Sequence, residues 1–186
     1  MADLYLALLH YPVYDKDRKV VTTSITNMDI HDIARSALTY GVKRYFVVNP
    51  VRTLQALAEK ILDHWQQGYG STYNETRKEA LALVTLTNDL DGTIQAIHKE
   101  TGERPRLVAT SARVGERRTP FAEMRRKVEA SGSPLLLILG TGWGLTEEVL
   151  ERADDILEPI KGVGAYNHLS VRAAAAILLD RLREAR

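Results

Sequence analysis

Three glycines spaced two apart, Gly140, Gly142 and Gly144, follow the apolar run Leu135–Leu139 in the stretch LLLILGTGWGL. A bare backbone directly after a buried strand lets a ligand approach the main chain, because no Cβ stands in the way. Phosphate is the first ligand such a loop suggests, but the spacing argues against it. The dinucleotide fingerprint is G-x-G-x-x-G on a first strand with several βα units behind it. Here the pattern is G-x-G-x-G, and only 46 residues follow Gly140. No G-x-x-x-x-G-K-[ST] sequence occurs, and Leu139, Gly140, Thr141, Gly142, Trp143 and Gly144 include no Lys or Arg to meet a phosphate. A second bare loop, with Gly162 and Gly164 after Pro159 and Ile160, precedes the last helical segment, where Asn167 is the expected N-cap. Two such loops at adjacent strand ends are expected to pinch a flat adenine edge between backbone amides and carbonyls.

Other side chains could carry acid–base or charge chemistry. His31 and Asp32 lie one turn before Arg35 on a helical segment, and His168 and Leu169 stand at the mouth of the second loop. Arg104–Lys127 holds eight Arg or Lys and is the densest basic region of the chain. Its loop arginines, Arg113, Arg117 and Arg118, are placed to meet the phosphates of a polyanion without sequence preference. Arg125, Arg126 and Lys127 read as a solvated helix face. Tyr14, Tyr69 and Tyr73 are too scattered in sequence to make a stacking claim. No metal site is expected: there is no cysteine, which removes thiolate ligands, disulfides and a cysteine nucleophile together.

These residues need a scaffold, and its rhythm is legible. Leu4–Leu9, Tyr45–Val48, Leu81–Leu86, Leu107–Ala109 and Leu135–Leu139 read as strands, with a short sixth near Asp155–Leu157. Helices are expected at about Ile30–Tyr40, Thr53–Gln67, Asp91–Thr101, Pro120–Ala130, Thr146–Arg152 and Leu169–Arg183, with Gln66–Glu79 as the long loop, open to a helical turn at its end. The βαβα order predicts an α/β fold, a mainly parallel sheet with helices on both faces, in one domain spanning 1–186. The chain has 186 residues, 45% of them hydrophobic, which suffices for one sizeable core. A net charge of +1 gives no overall field toward nucleic acid or membrane, so a polyanion must meet a local patch. No window approaches 18 apolar residues, and the expectation is a soluble, unprocessed, cytoplasmic protein without a membrane partner.

At this point the chain resembles the SPOUT class of RNA methyltransferases, in particular its SpoU-like members. Gly140-Thr141-Gly142-Trp143-Gly144-Leu145 is similar to that family's G-x-E-x-x-G-L loop, with Gly142 where the family has glutamate. Pro159 through Ala174 resembles its P-x-x-G-x-x-x-S-L-N-V-S-x-A segment, with His168-Leu169-Ser170-Val171-Arg172 in place of S-L-N-V-S. DIHDIARSALTYGV matches the early motif N-x-G-A-I-x-R-T-A-x-A-F-G-V, with Asp29 in place of Asn and Arg35 in register. The resemblance implies the catalytic domain alone, a C-terminal trefoil knot, a homodimer, S-adenosylmethionine as cofactor and an RNA, tRNA or rRNA, as substrate. It implies that Leu139–Gly144, Pro159, Ile160, Gly162, Gly164, His168 and Leu169 hold the donor. Arg35 is implied as the catalytic residue; a guanidinium is too basic to take a proton readily and suits a phosphate or a developing alkoxide. The ribose 2'-oxygen and guanine N1 both stay open as acceptors. The alternative is a non-catalytic member of the fold that binds a nucleotide-like ligand or RNA.

Overall fold

The computed structural model describes residues 1–130, 132–164 and 166–185. Strands β1 (Leu4–Leu9), β4 (Arg44–Val48), β5 (Val84–Thr87), β6 (Arg106–Ala109), β7 (Leu135–Gly140) and β8 (Asp155–Ile156) form one sheet in the order β5-β4-β1-β7-β6-β8. Every pairing in it is parallel. β1 and β7 lie in the middle and are apolar at nearly every position, as strands covered on both faces must be. A separate hairpin, β2 (Val13–Tyr14) with β3 (Val20–Val21), follows β1.

Helices cover both faces. One face carries α1 (Asn27–Thr39), α4 (Glu75–Leu81), α6 (Phe121–Glu129) and α8 (Val171–Arg183), with α2 (Arg52–Gln66) packed beside α4. The other carries α5 (Leu90–Thr101) and α7 (Glu147–Arg152). The alternation of strand side chains divides the core accordingly: Leu4, Leu6 and Leu8 face α1, whereas Tyr5, Ala7 and Leu9 face the α5 side. α1 forms because Thr26 caps the Asp29 amide, while Ile30, Ile33, Ala34 and Ala37, at helical spacing, bury one stripe. The same logic starts α8, where the Ser170 hydroxyl accepts from the Ala173 amide. No helix among the described residues is long and apolar enough to cross a membrane.

Several expectations need correction. The cap of α8 is Ser170 rather than Asn167, whose side chain is engaged elsewhere. The segment Gln66–Glu79 holds more helix than the turn expected at its end: it contains the short helix α3 (Gly70–Tyr73) and most of α4, which Asn74 caps. β5 consequently starts at Val84, because Leu81 ends α4 with its side chain in the core. The β2–β3 hairpin has no periodic signal, since two-residue strands are shorter than any pattern. The two glycine loops follow β7 and β8, and β6 stands between those strands rather than the loops being neighbours.

Candidate active site

In a parallel sheet the ligand crevice lies beyond the carboxyl ends of the strands. Three loops emerge there, 110–120 after β6, 140–146 after β7 and 157–170 after β8. The protein ties them together with hydrogen bonds. The Arg113 guanidinium donates to the Trp143 carbonyl (3.2 Å), and the Asn167 side-chain amide donates to the Ala112 carbonyl (3.1 Å). The Glu158 amide donates to the Thr119 carbonyl at 3.0 Å, and the Phe121 amide, at the start of α6, donates to the Glu158 carboxylate at 2.7 Å. The loop after β6 thus bridges the two glycine loops.

The glycines divide into two kinds. At Gly140 a Cβ would stand 2.8 Å from the Leu145 amide nitrogen, and at Gly142, whose φ is +57°, 2.8 Å from the Tyr14 carbonyl oxygen. Their space is taken by the protein itself, so the expectation that Gly140 and Gly142 clear room for a ligand is corrected. The β2 strand lies against this loop: the Trp143 amide donates to the Tyr14 carbonyl (2.8 Å), and the Tyr14 amide donates to the Gly144 carbonyl (3.0 Å). A glutamate at 142 would have to displace that strand. At Gly144 (φ +101°) and Gly164 a Cβ would meet nothing within 4 Å, and at Gly162 the nearest atom would be 3.9 Å away. These three keep an open backbone.

The donor set fits an adenosine edge. Among the described residues from Ile160 to Leu169 no backbone–backbone hydrogen bond is formed, so the amides and carbonyls of those residues are free to be used. The Thr146 hydroxyl, at the end of the first loop, is buried without a partner. Leu139 and Pro159 are buried and Ile160 packs on the core, so these three anchor the loops and could offer a ligand only main chain. Trp143, Val163, Tyr166 and Leu169 are exposed, and His168 rests edge-on against Tyr166.

Arg35 lies on α1 and lines an open groove of ≈ 580 Å³ between α1 and α8, together with Asp32, Tyr40, Ser170, Arg172 and Ala176. Arg172 is held by two carboxylates of α1, Asp29 at 3.5 Å and Asp32 at 3.4 Å. The Arg35 guanidinium makes no hydrogen bond or ion pair with the described residues, so it is the unpaired positive charge of the groove. Asp32 is thereby engaged in an ion pair. His31 turns away toward Trp65, at 5.3 Å between ring centroids, and burial first, then the Arg77 charge, hold its pKa down.

Of the loop arginines, Arg113 and Arg118 spend their guanidinium groups on loop carbonyls, those of Trp143 for the former and of Arg113 and Arg117 for the latter. Arg117 has no such bond and is exposed. Arg125 and Lys127 are held in ion pairs with Glu129 and Glu184, and with Glu123 and Asp155, as a structural face would be. Tyr69 and Tyr73, scattered in sequence, do stack on each other in α3 and its approach, at 5.9 Å.

Sequence reasoning passes over a buried polar cluster beneath the first glycine loop. His10, at the carboxyl end of β1, is fully buried, as is Asn49 at the end of β4. His10 Nδ1 is 2.9 Å from the Thr23 hydroxyl, which in turn bonds the Thr141 hydroxyl. A polar residue closing the apolar run LYLALLH is the available signal.

The profile of a family described as SAM-dependent RNA methyltransferase matches residues 3–184, and the chain belongs to that family. It is 45% identical over 180 residues to a protein of Oleidesulfovibrio alaskensis named tRNA (guanine-N(1)-)-methyltransferase, covering 97% of this chain but 42% of that protein. It is 42% identical to an uncharacterized protein of Aquifex aeolicus, covering 97% of this chain and 88% of that one. The chain therefore spans less than half the length of the first relative. Among solved structures, the Aquifex aeolicus TrmH/SpoU tRNA modifying enzyme matches with a TM-score of 0.57 at 15% identity, covering 98% of this chain and 75% of that one. An AdoMet-bound rRNA methyltransferase from Sinorhizobium meliloti matches at 0.58 and 14%, covering 97% and 56%. These likenesses show a SPOUT-type fold.

Proposed function

We propose that this chain is a single catalytic domain that transfers a methyl group from S-adenosylmethionine to RNA in the cytoplasm, with tRNA as the substrate class. The observation that carries it is the cross-tied set of three loops at the carboxyl edge of the sheet, with an open backbone at Gly144, Gly162 and Gly164. When bound, the donor would supply an electrophilic methyl on its sulfonium, leaving as the thioether S-adenosylhomocysteine, with the acceptor's proton passing to solvent. What the protein adds is position and charge. The main chain of Trp143–Gly144 and Ile160–Leu169 orients the donor, and Arg35 offers its guanidinium to a phosphate or to charge developing on the acceptor. Arg117 meets the RNA backbone, and Arg113 and Arg118 shape the loop that presents it.

The guanine-N1 chemistry in the name of the Oleidesulfovibrio relative belongs to a protein more than twice as long as the matching stretch. A structural neighbour described as performing 2'-OH methylation of C/U34 on tRNA matches at 20% identity with a TM-score of 0.57. Both acceptors stay in view, and nucleoside mass spectrometry of tRNA from a deletion strain distinguishes them.

A trefoil threading and a homodimer complete the proposal. For the first, the segment after β8 runs along the loop after β6, through the Leu157–Thr119 bridge and the Asn167–Ala112 bond, and ends in a helix on the face opposite α7. For the second, Val114, Trp143, Val163, Tyr166 and Leu169 expose apolar surface on the same three loops, and a second copy would cover it.

The test is Arg35→Ala with labelled donor and total tRNA. The expected result is a loss of transfer on the order of a hundredfold or more, with affinity for the demethylated product unchanged within about twofold. Transfer at the wild-type rate would contradict the role given to Arg35, and no transfer by the wild-type chain to tRNA or rRNA would contradict the enzyme reading.

A further inference from the structure

We propose that His10 is a positioning residue for the donor loop, acting through Thr23 on Thr141. The proposal rests on the donor-binding reading of the 140–146 loop given above.

The hydrogen-bond directions follow from one fixed end. The Thr141 hydroxyl donates to the Leu9 carbonyl (3.1 Å), and a carbonyl can only accept. With its proton so used, the Thr141 oxygen must accept from the Thr23 hydroxyl. The Thr23 oxygen, having donated, accepts from the Nδ1–H of His10. The chain therefore runs one way, from His10 Nδ1–H through Thr23 and Thr141 to Leu9, and fixes the imidazole as the Nδ1–H tautomer. Its Nε2 is then a bare lone pair, buried and without a partner.

Leaving a buried acceptor unpaired forfeits its hydration without compensation, so an apolar residue would be the more stable choice at this point of the core. What the histidine does in exchange is hold Thr23. Thr23 is the hub: its amide donates to the His10 carbonyl (2.9 Å), its carbonyl accepts from the Asn49 side chain (3.2 Å), and its hydroxyl reaches the first residue of the loop after Gly140. The Thr141 amide is itself tied to the Leu9 carbonyl at 3.2 Å. The outgoing strand of the hairpin, through Tyr14, closes the loop from its other side. Three strand ends and the hairpin thus converge on one turn, and its shape is set before any donor arrives.

Burial keeps the imidazole in the neutral form the hydrogen-bond chain requires, and the Asp29 charge, which favours the protonated form, only partly opposes it. Its hydrogen-bond partner Thr23, and the Asn49 and Thr141 side chains that Thr23 in turn engages, are uncharged.

Nitrogen-15 NMR of the histidine rings, without donor, reads the tautomer directly; the expected result is an unprotonated Nε2 and a protonated Nδ1 that persist from pH 7 to about pH 5. The second measurement is calorimetry with S-adenosylhomocysteine on Thr23→Val, Thr23→Ser and His10→Phe, each first shown to be folded by its melting curve. Thr23→Val and His10→Phe are expected to weaken binding about tenfold each, the double variant no further, and Thr23→Ser to recover most of the loss. Amide hydrogen exchange at Thr141–Gly144 should accelerate in Thr23→Val. An Nε2–H tautomer, or unchanged affinity and exchange in Thr23→Val, overturns the proposal. Failure of the wild-type chain to bind the product overturns the donor reading on which it rests, and is told apart because the tautomer and exchange results stand without any ligand.

Discussion

Gly142 and Tyr14 touch through their main chains: a Cβ on Gly142 would lie 2.8 Å from the Tyr14 carbonyl oxygen, at a φ of +57°. The hairpin sits where a larger residue would place its side chain, so the bareness of this position serves the protein's own packing. Gly142→Ala is expected to destabilise by about 1–3 kcal/mol, from strain and displaced backbone. Gly164→Ala, with open space around it, should change stability by less than about 0.5 kcal/mol while weakening the donor. Urea unfolding of the two variants checks the contrast, and equal losses would refute it.

Arg172 and Asp29 occupy two positions where the chain departs from the SpoU-like motifs, and they meet across α1 and α8 at 3.5 Å. The departures compensate each other: a cation on one helix answers an anion on the other. Arg172→Ser should cost about 1 kcal/mol, chiefly by leaving the half-buried Asp29 charge alone. Asp29→Asn in the same chain should recover part of that, so a double-mutant cycle is expected to show coupling of about 0.5–1 kcal/mol. Strict additivity in chemical denaturation would mean the pair is incidental.

Burial pushes the His10 pKa down to about 4, with the Asp29 charge opposing that shift. The folded protein therefore binds this proton less readily than the unfolded chain, whose histidine titrates near 6.5. The neutral imidazole's contribution is complete above about pH 6.5 and is lost as pH falls toward 4, about 3 kcal/mol in all. The difference in pH slope between wild type and His10→Phe over that window isolates the contribution. Parallel slopes would show that His10 is solvated.

Much of this scaffold is legible in the sequence because long apolar runs in βαβα order admit few arrangements. The apolar run of β1 marks its limits to the residue, and those of β4, β6 and β7 do so within one residue. The hairpin is not legible, since Val13–Tyr14 and Val20–Val21 are too short to show a period, and with it goes the explanation of Gly142. The helices inside Gln66–Glu79 show in the sequence only as a turn at its end, because polar residues and two glycines mask the Asn74 cap. At the candidate site, the glycine pattern marks two loops at the carboxyl edge of the sheet but does not tell a glycine whose Cβ side is open from one that clears a strand. His10 escapes because one polar residue after a strand has no pattern of its own. The pairing of Arg172 with Asp29 joins two segments far apart in the chain, a distance that only the fold closes.

Everything proposed for the site depends on the loops after β6, β7 and β8 holding S-adenosylmethionine. Titration calorimetry of the purified chain with S-adenosylmethionine and with S-adenosylhomocysteine measures this without any RNA. Saturable binding of both is expected, one per chain, weakened when Gly164 is changed to alanine. Heat changes indistinguishable from dilution for both compounds would contradict the donor site.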